Sequence, residues 1–173
     1  RMGLPPAGAA DCQKWCSDQE LDLRGAAHAL ARRTHASALF KGRVFVTGGD
    51  DGSTYLSDVW SVGLNTTAGG PNATSPSWTV VRETRDAPWG KRGDHALAVL
   101  DDVLYLMGGR GYLNSGYFND MWAFSRSHGV EAWREVTSAA PMWSARYGHA
   151  VATRGDSIYL VGGYDWYVYF DDV

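Results

Sequence analysis

From residue 35 onward, apolar and polar positions alternate in runs of about five residues, broken by glycine, asparagine and aspartate. That period of two is the signature of half-buried strands, and the breaks mark turns. The pattern predicts a strand from His35 to a turn at Lys41-Gly42-Arg43, then Val44–Thr47, Val59–Val62 and Trp78–Val81. Val44-Phe45-Val46-Thr47 is β-branched and aromatic throughout, so it is expected to be buried on both faces. A second set follows at His95–Leu100, Val103–Met107, Met121–Phe124 and Trp133–Val136, with a turn at Asp101-Asp102. A third set begins with His149–Thr153 and Ile158–Val161. Residues 1–31 do not share the pattern. Leu4 to Ala10 reads as linker, and the Ala-rich stretch from Ala26 to Arg33 as a short helical turn or irregular chain.

The three sets are copies of one unit. His35, His95 and His149 are each followed thirteen positions later by a glycine pair: Gly48-Gly49, Gly108-Gly109 and Gly162-Gly163. An arginine stands three residues before each histidine, at Arg32, Arg92 and Arg146. An aspartate follows each glycine pair, at Asp58, Asp120 and Asp172, and the first two lead into Trp60 and Trp122. A fixed period of this kind marks a repeat array. It divides the chain into a non-repeat segment at 1–31, units at 32–91 and 92–145, and a partial unit at 146–173. A four-stranded sheet that is apolar on both faces cannot bury them alone, so neighbouring units must stack.

The Arg-x-x-His opening, the double glycine after a short apolar strand, the Asp-Val-Trp third strand and the tryptophan opening the fourth resemble the kelch repeat, over residues 32–173. The resemblance implies an all-β fold: a β-propeller in which each repeat is a four-stranded antiparallel blade around a central channel. A propeller closes with about 4–8 blades, and this chain holds about two and a half. The chain opens on Arg1 and its last residue falls inside a repeat. Both ends are therefore expected to be cuts, with the remaining blades supplied by further sequence.

Composition changes this picture little. The formal net charge of −3 gives no basic excess for nucleic acid. No apolar run approaches the ~18–20 residues of a membrane helix. Cys12 and Cys16 admit a local disulfide, bridges to other sequence, or free thiols; two cysteines lack the second ligand pair that zinc needs. Asn65-Thr-Thr67 and Asn72-Ala-Thr74 match the N-glycosylation pattern in what reads as one exposed loop. With the cysteines, these sequons favour a secreted or luminal glycoprotein over the cytoplasmic alternative.

Candidate chemistry is weighed against the repeat. A phosphate-binding glycine loop must lead into a helix, whereas these glycine pairs precede a loop and another strand; positive φ or close approach is the expected reason for them. The histidines, arginines and aspartates recur once per blade and do not converge on one ligand. The histidines and arginines are expected to hydrogen-bond loop backbone, and the aspartates to accept backbone N–H bonds. Trp60, Trp78, Trp122 and Trp133 are expected to pack between blades. The residues that vary lie on one face, where the link into strand one and the second-to-third-strand loop emerge. There Trp89, Arg92, Arg110, Tyr112, Tyr117, Trp143, Tyr147, Tyr164 and Trp166 form the candidate binding set, rich in the residue types that lead interface hot spots. The reading is a non-catalytic protein-binding module with no cofactor. A kelch-type enzyme, of the copper oxidase or specifier-protein kind, and a carbohydrate-binding ectodomain are the alternatives.

Overall fold

The computed structural model describes residues 30–65, 77–112, 116–127, 130–139 and 142–173. Cys12, Cys16 and Asn72 lie outside them. Ten strands follow one another: β1 Ala36–Phe40, β2 Arg43–Thr47, β3 Val59–Asn65, β4 Ser77–Thr84, β5 Ala96–Leu100, β6 Val103–Arg110, β7 Tyr117–Ser127, β8 Val130–Glu135, β9 Ala150–Arg154 and β10 Ser157–Val161. They form two four-stranded antiparallel sheets, β1-β2-β3-β4 and β5-β6-β7-β8, and the hairpin β9-β10. The fold is all-β, with sheets in the form of propeller blades; the ring is not closed.

Each inner hairpin turns on two residues. Lys41 (φ 47°) and Gly42 (φ 75°) join β1 to β2, and Asp101 (φ 48°) and Asp102 (φ 60°) join β5 to β6. Two consecutive left-handed residues give the turn that matches the twist of paired strands. Strand β5 packs beside β1 on one side and β9 on the other, so the first strands of the three units are neighbours.

The core lies between the first two sheets. Phe40, Phe45 and Val59 of the first meet Leu104, Leu106 and Phe124 of the second. Phe40 and Phe45 pack edge to face at 5.4 Å, and Phe124 meets Trp133 at 5.2 Å. Within β2, Phe45, Val46 and Thr47 are buried as expected, while Val44 stays partly exposed.

Several elements outrun the expected bounds. Strand β3 continues to Asn65, which pairs with Ser77 of β4, so the first sequon begins at the end of a strand and not in open loop. Strand β8 starts earlier than expected, at Val130. In the second unit the glycine pair does not end the strand. Strand β6 passes through a register shift between Met107 and Gly109 and goes on to pair Arg110 with Tyr117.

Main-chain hydrogen bonds cross between units. Gly49 N–H donates to Arg92 O at 2.8 Å and Gly109 N–H to Arg146 O at 2.9 Å. Asp94 N–H donates to Thr34 O at 2.8 Å, and Gly148 N–H to Asp94 O at 2.9 Å. The glycine pair permits this approach. Gly108 has φ 59°, and a Cβ there would lie 2.8 Å from His149 Cε1 and 3.0 Å from Arg146 O. Both the backbone conformation and the space exclude a side chain.

Candidate binding face

The repeated residues build a bonded frame. Arg32, Arg92 and Arg146 donate from Nη1 to the carbonyls of Gly48, Gly108 and Gly162, at 2.8, 2.9 and 2.8 Å. The same guanidinium groups grip Asp58, Asp120 and Asp172 through both terminal nitrogens. Trp60 and Trp122 donate their indole N–H to Asp58 and Asp120 at 2.6 and 2.7 Å. The aspartates were expected to accept backbone N–H bonds; Asp172 does so from its own amide, and all three accept guanidinium donors, whose forked, charged geometry makes the stronger bond. The arginine side chains are only 1–2% exposed. Arg92 lies 3.9 Å over the Phe118 ring and Arg146 3.8 Å over Phe170.

The histidines meet the expectation in part: His35 hydrogen-bonds the backbone of Arg32 in the link, whereas His95 and His149 turn to Thr47 and Met107 on a strand of the preceding unit. His95 does not bind loop backbone: its Nε2 shares a 2.7 Å hydrogen bond with Thr47 Oγ1 of the preceding unit. Its imidazole also packs near the Trp89 ring at 6.0 Å. Burial, reinforced by the Arg92 charge, pushes the His95 pKa down to about 3. His149 is likewise buried, and burial followed by Arg146 lowers its pKa to about 4. Met107 stands where Thr47 does, so His149 meets no hydroxyl at that position. His35 is exposed.

Two members of the candidate binding set belong to the interior. Trp89 is 2% exposed and part of the core cluster, and Arg92 is 1% exposed and paired with Asp120. The link between the first two units dips inward, held by Ala87 N–H to Ser57 O at 2.9 Å, and this draws Trp89 off the surface. Trp143 is half-buried and lines a cavity of about 550 Å³ between the second unit and the third, with Leu100, Tyr105, Met121 and Leu160. At the first junction Phe124 and Trp133 line a smaller one of about 270 Å³ with Val59 and Pro88.

The remaining candidates come together. Beyond each glycine pair an isolated bridge ties the link to the loop: Arg33 with Asp50, Gly93 with Arg110, and Tyr147 with Tyr164. Arg33 pairs with Asp50 at 2.8 Å and Arg110 with Asp94 at 2.6 Å. Arg110 reaches 4.7 Å over Tyr147, which stacks on Tyr117 at 5.3 Å and meets Tyr164 at 5.4 Å. Tyr112 contacts Tyr55 edge to face at 6.1 Å and is 52% exposed. The face thus changes along the units from ion pairs to stacked rings. Trp166 stands at its aromatic end, exposed, with φ 81°. A left-handed conformation costs a residue with a Cβ about 1–2 kcal/mol.

Residues 9–172 match the family model described as the KLHDC2/KLHL20/DRC7 Kelch-repeats domain. The chain belongs to the kelch-repeat family. Among its relatives, beta-scruin of Limulus polyphemus is 29% identical over 78% of this chain and 13% of its own length. Tip elongation aberrant protein 1 of Schizosaccharomyces pombe is 28% identical over 89% of this chain and 13% of its own. Kelch domain-containing protein 3 of Bos taurus is 30% identical over 54% of this chain and 26% of its own. This kelch chain therefore spans a minor part of the length of each of these relatives. Kelch repeats typically serve as protein-interaction and scaffold modules.

Among the described residues of the kelch chain, no three His, Cys, Asp or Glu side chains converge in a group able to hold a metal ion. No helix among them is long and apolar enough to cross a membrane.

Proposed function

We propose that this kelch chain is a non-catalytic protein-binding module that reads its partner with the face where links and second-to-third-strand loops meet. One observation carries the proposal. At equivalent positions on an invariant frame, the bridged pairs change from Arg33–Asp50 to Gly93–Arg110 to Tyr147–Tyr164. A frame that repeats while its outward residues diverge is how a rigid scaffold presents a specific surface. The exposed aromatics there, Tyr112 and Trp166, are of the type that dominates binding energy. The enzyme and carbohydrate readings have no comparable observation among the described residues.

Replacing Tyr112 and Trp166 with alanine is expected to reduce partner capture from a lysate by at least thirtyfold, at about 2 kcal/mol for a hot-spot residue. The thermal midpoint should hold, because both side chains are exposed. Undiminished capture by the folded double variant would remove this face from recognition.

The backbone of Asn65 closes a strand by pairing with Ser77, so this sequon does not begin in open loop, and the similar proteins are named kelch-like and kelch domain-containing. We favour the cytoplasmic alternative over the secreted one. Treating the intact protein with an N-glycosidase should leave its mass unchanged; a loss of glycan mass would restore the secreted reading.

A further inference from the structure

We propose that the turn Asp165–Tyr169 is a docking site for a basic segment of a partner protein, with a lysine or arginine side chain lying on Trp166 and Tyr167 beside the Asp165 carboxylate. This rests on the reading of the face as a protein-binding surface and adds the chemistry of the partner.

The first and third units build this turn on the same plan. Asp51 Oδ1 accepts from Ser53 N–H and Thr54 N–H, and Asp165 Oδ1 accepts from Tyr167 N–H and Val168 N–H at 3.0 and 2.8 Å. Asp50 bridges to Tyr55 as Tyr164 bridges to Tyr169. Gly52 (φ 93°) therefore marks the position that Trp166 (φ 81°) takes in the third unit. Glycine is the natural occupant of that conformation. A bulky residue held there, against its own backbone preference, is where strain points toward function.

The exposure of Trp166 belongs to the position and not to an uncovered edge. In the first unit, with the second unit packed against it, Gly52 and Ser53 remain exposed, and a Cβ on Gly52 would meet open space. Tyr55, by contrast, is covered, so the exposure of its counterpart Tyr169 carries no weight here. Trp166 is 63% exposed and Tyr167 87%. The turn that displays them is braced. Tyr164 Oη–H donates to Trp166 O at 2.6 Å, Asp165 N–H to Val168 O at 3.2 Å, and Tyr164 stacks on Tyr169 at 4.4 Å. A backbone turn ordered in advance loses less freedom when a partner binds.

Charge selects the partner. Asp165 is the charged residue of the stretch Tyr164–Phe170, and Asp171 and Asp172 follow it. Asp172 is neutralised by Arg146. The turn bonds of Asp165 fall on Oδ1, which leaves Oδ2 for an incoming donor. Aromatic faces beside an unspent carboxylate attract a cation through ring quadrupole and charge together. An acidic partner would meet repulsion at the same place.

The test uses the intact protein and two synthetic probes, nona-arginine and nona-glutamate; the Trp166 indole N–H resonance locates the contact in the parent and in Asp165→Asn, and isothermal titration calorimetry reads the affinity of the parent and both variants. Two variants keep the fold. Trp166→Gly places in the third unit the residue the first already carries, and Asp165→Asn retains the Oδ1 acceptor of the turn while removing its charge. Nona-arginine is expected to shift the Trp166 resonance to saturation. Trp166→Gly should weaken this binding about tenfold and Asp165→Asn several-fold, and added salt should weaken it further. Nona-glutamate should leave the resonance in place. The proposal is overturned if nona-glutamate shifts it equally, or if both variants bind nona-arginine as the parent does. If nona-arginine fails while Trp166→Ala still abolishes partner capture, the basic class falls and the binding face stands. Loss of both effects removes the face as well.

Discussion

Replacing Asp120 with alanine is expected to lower stability by about 3–5 kcal/mol. Asp120 neutralises Arg92, whose side chain is 1% exposed at the first junction. Without it, Arg92 keeps only the carbonyls of Gly108 and Trp89, and the Trp122 indole N–H loses its acceptor. A buried guanidinium without a counter-charge bears nearly its whole desolvation penalty. Asp172→Ala is the internal comparison. Its partner Arg146 is also 1% exposed, so the loss should be of the same order. Urea titration measures both. An Asp120→Ala midpoint close to the parent's would show that Arg92 is not confined as described.

Acidification should weaken the protein below neutrality, in a range set by histidine. His95 and His149 have folded pKa values near 3 and 4, below the ~6.5 of an unfolded histidine. The unfolded chain therefore takes up protons that the folded chain refuses. Stability is fully present above about pH 6.5 and is lost as pH falls toward 4, at about 1.4 kcal/mol per histidine per pH unit. Around His95 stand Arg92 and Trp89, Thr47 and His35 of the first unit, and His149 of the third; no carboxylate is among the groups that shift it. Urea midpoints between pH 7 and 5, above the carboxylate range, isolate the effect. His95→Gln, which can still bond Thr47, should roughly halve the slope. A flat profile over that interval would place both imidazoles in water.

The blade frame was legible because it is periodic. A glycine pair at a constant distance from a histidine, three times over, has no cheaper explanation than three copies of one backbone. What periodicity does not record is which neighbour a side chain meets. His95 lies 48 residues from Thr47 and in another repeat; nothing local to either residue announces the bond. Trp89 and Arg92 looked superficial because proline and glycine surround them, as they surround exposed loops. The inward course of that link depends on the Ala87–Ser57 bond, which joins residues 30 apart within the first unit. The Trp166 conformation was, by contrast, within reach: aligning Asp51-Gly52 with Asp165-Trp166 sets a tryptophan on a glycine position.

The bonds that cross between units run from amide to carbonyl, at Gly49 and Arg92, Asp94 and Thr34, Gly109 and Arg146, Gly148 and Asp94. Amides and carbonyls are common to every residue type but proline, which lacks the N–H. Outside the glycine pairs themselves, where a Cβ would collide with neighbouring backbone, the spacing between neighbours is thus indifferent to most of what mutation alters. A loop cut from one repeat and inserted in another would find the same two anchors waiting. Such loops should tolerate exchange between repeats while the framework under them stays the same.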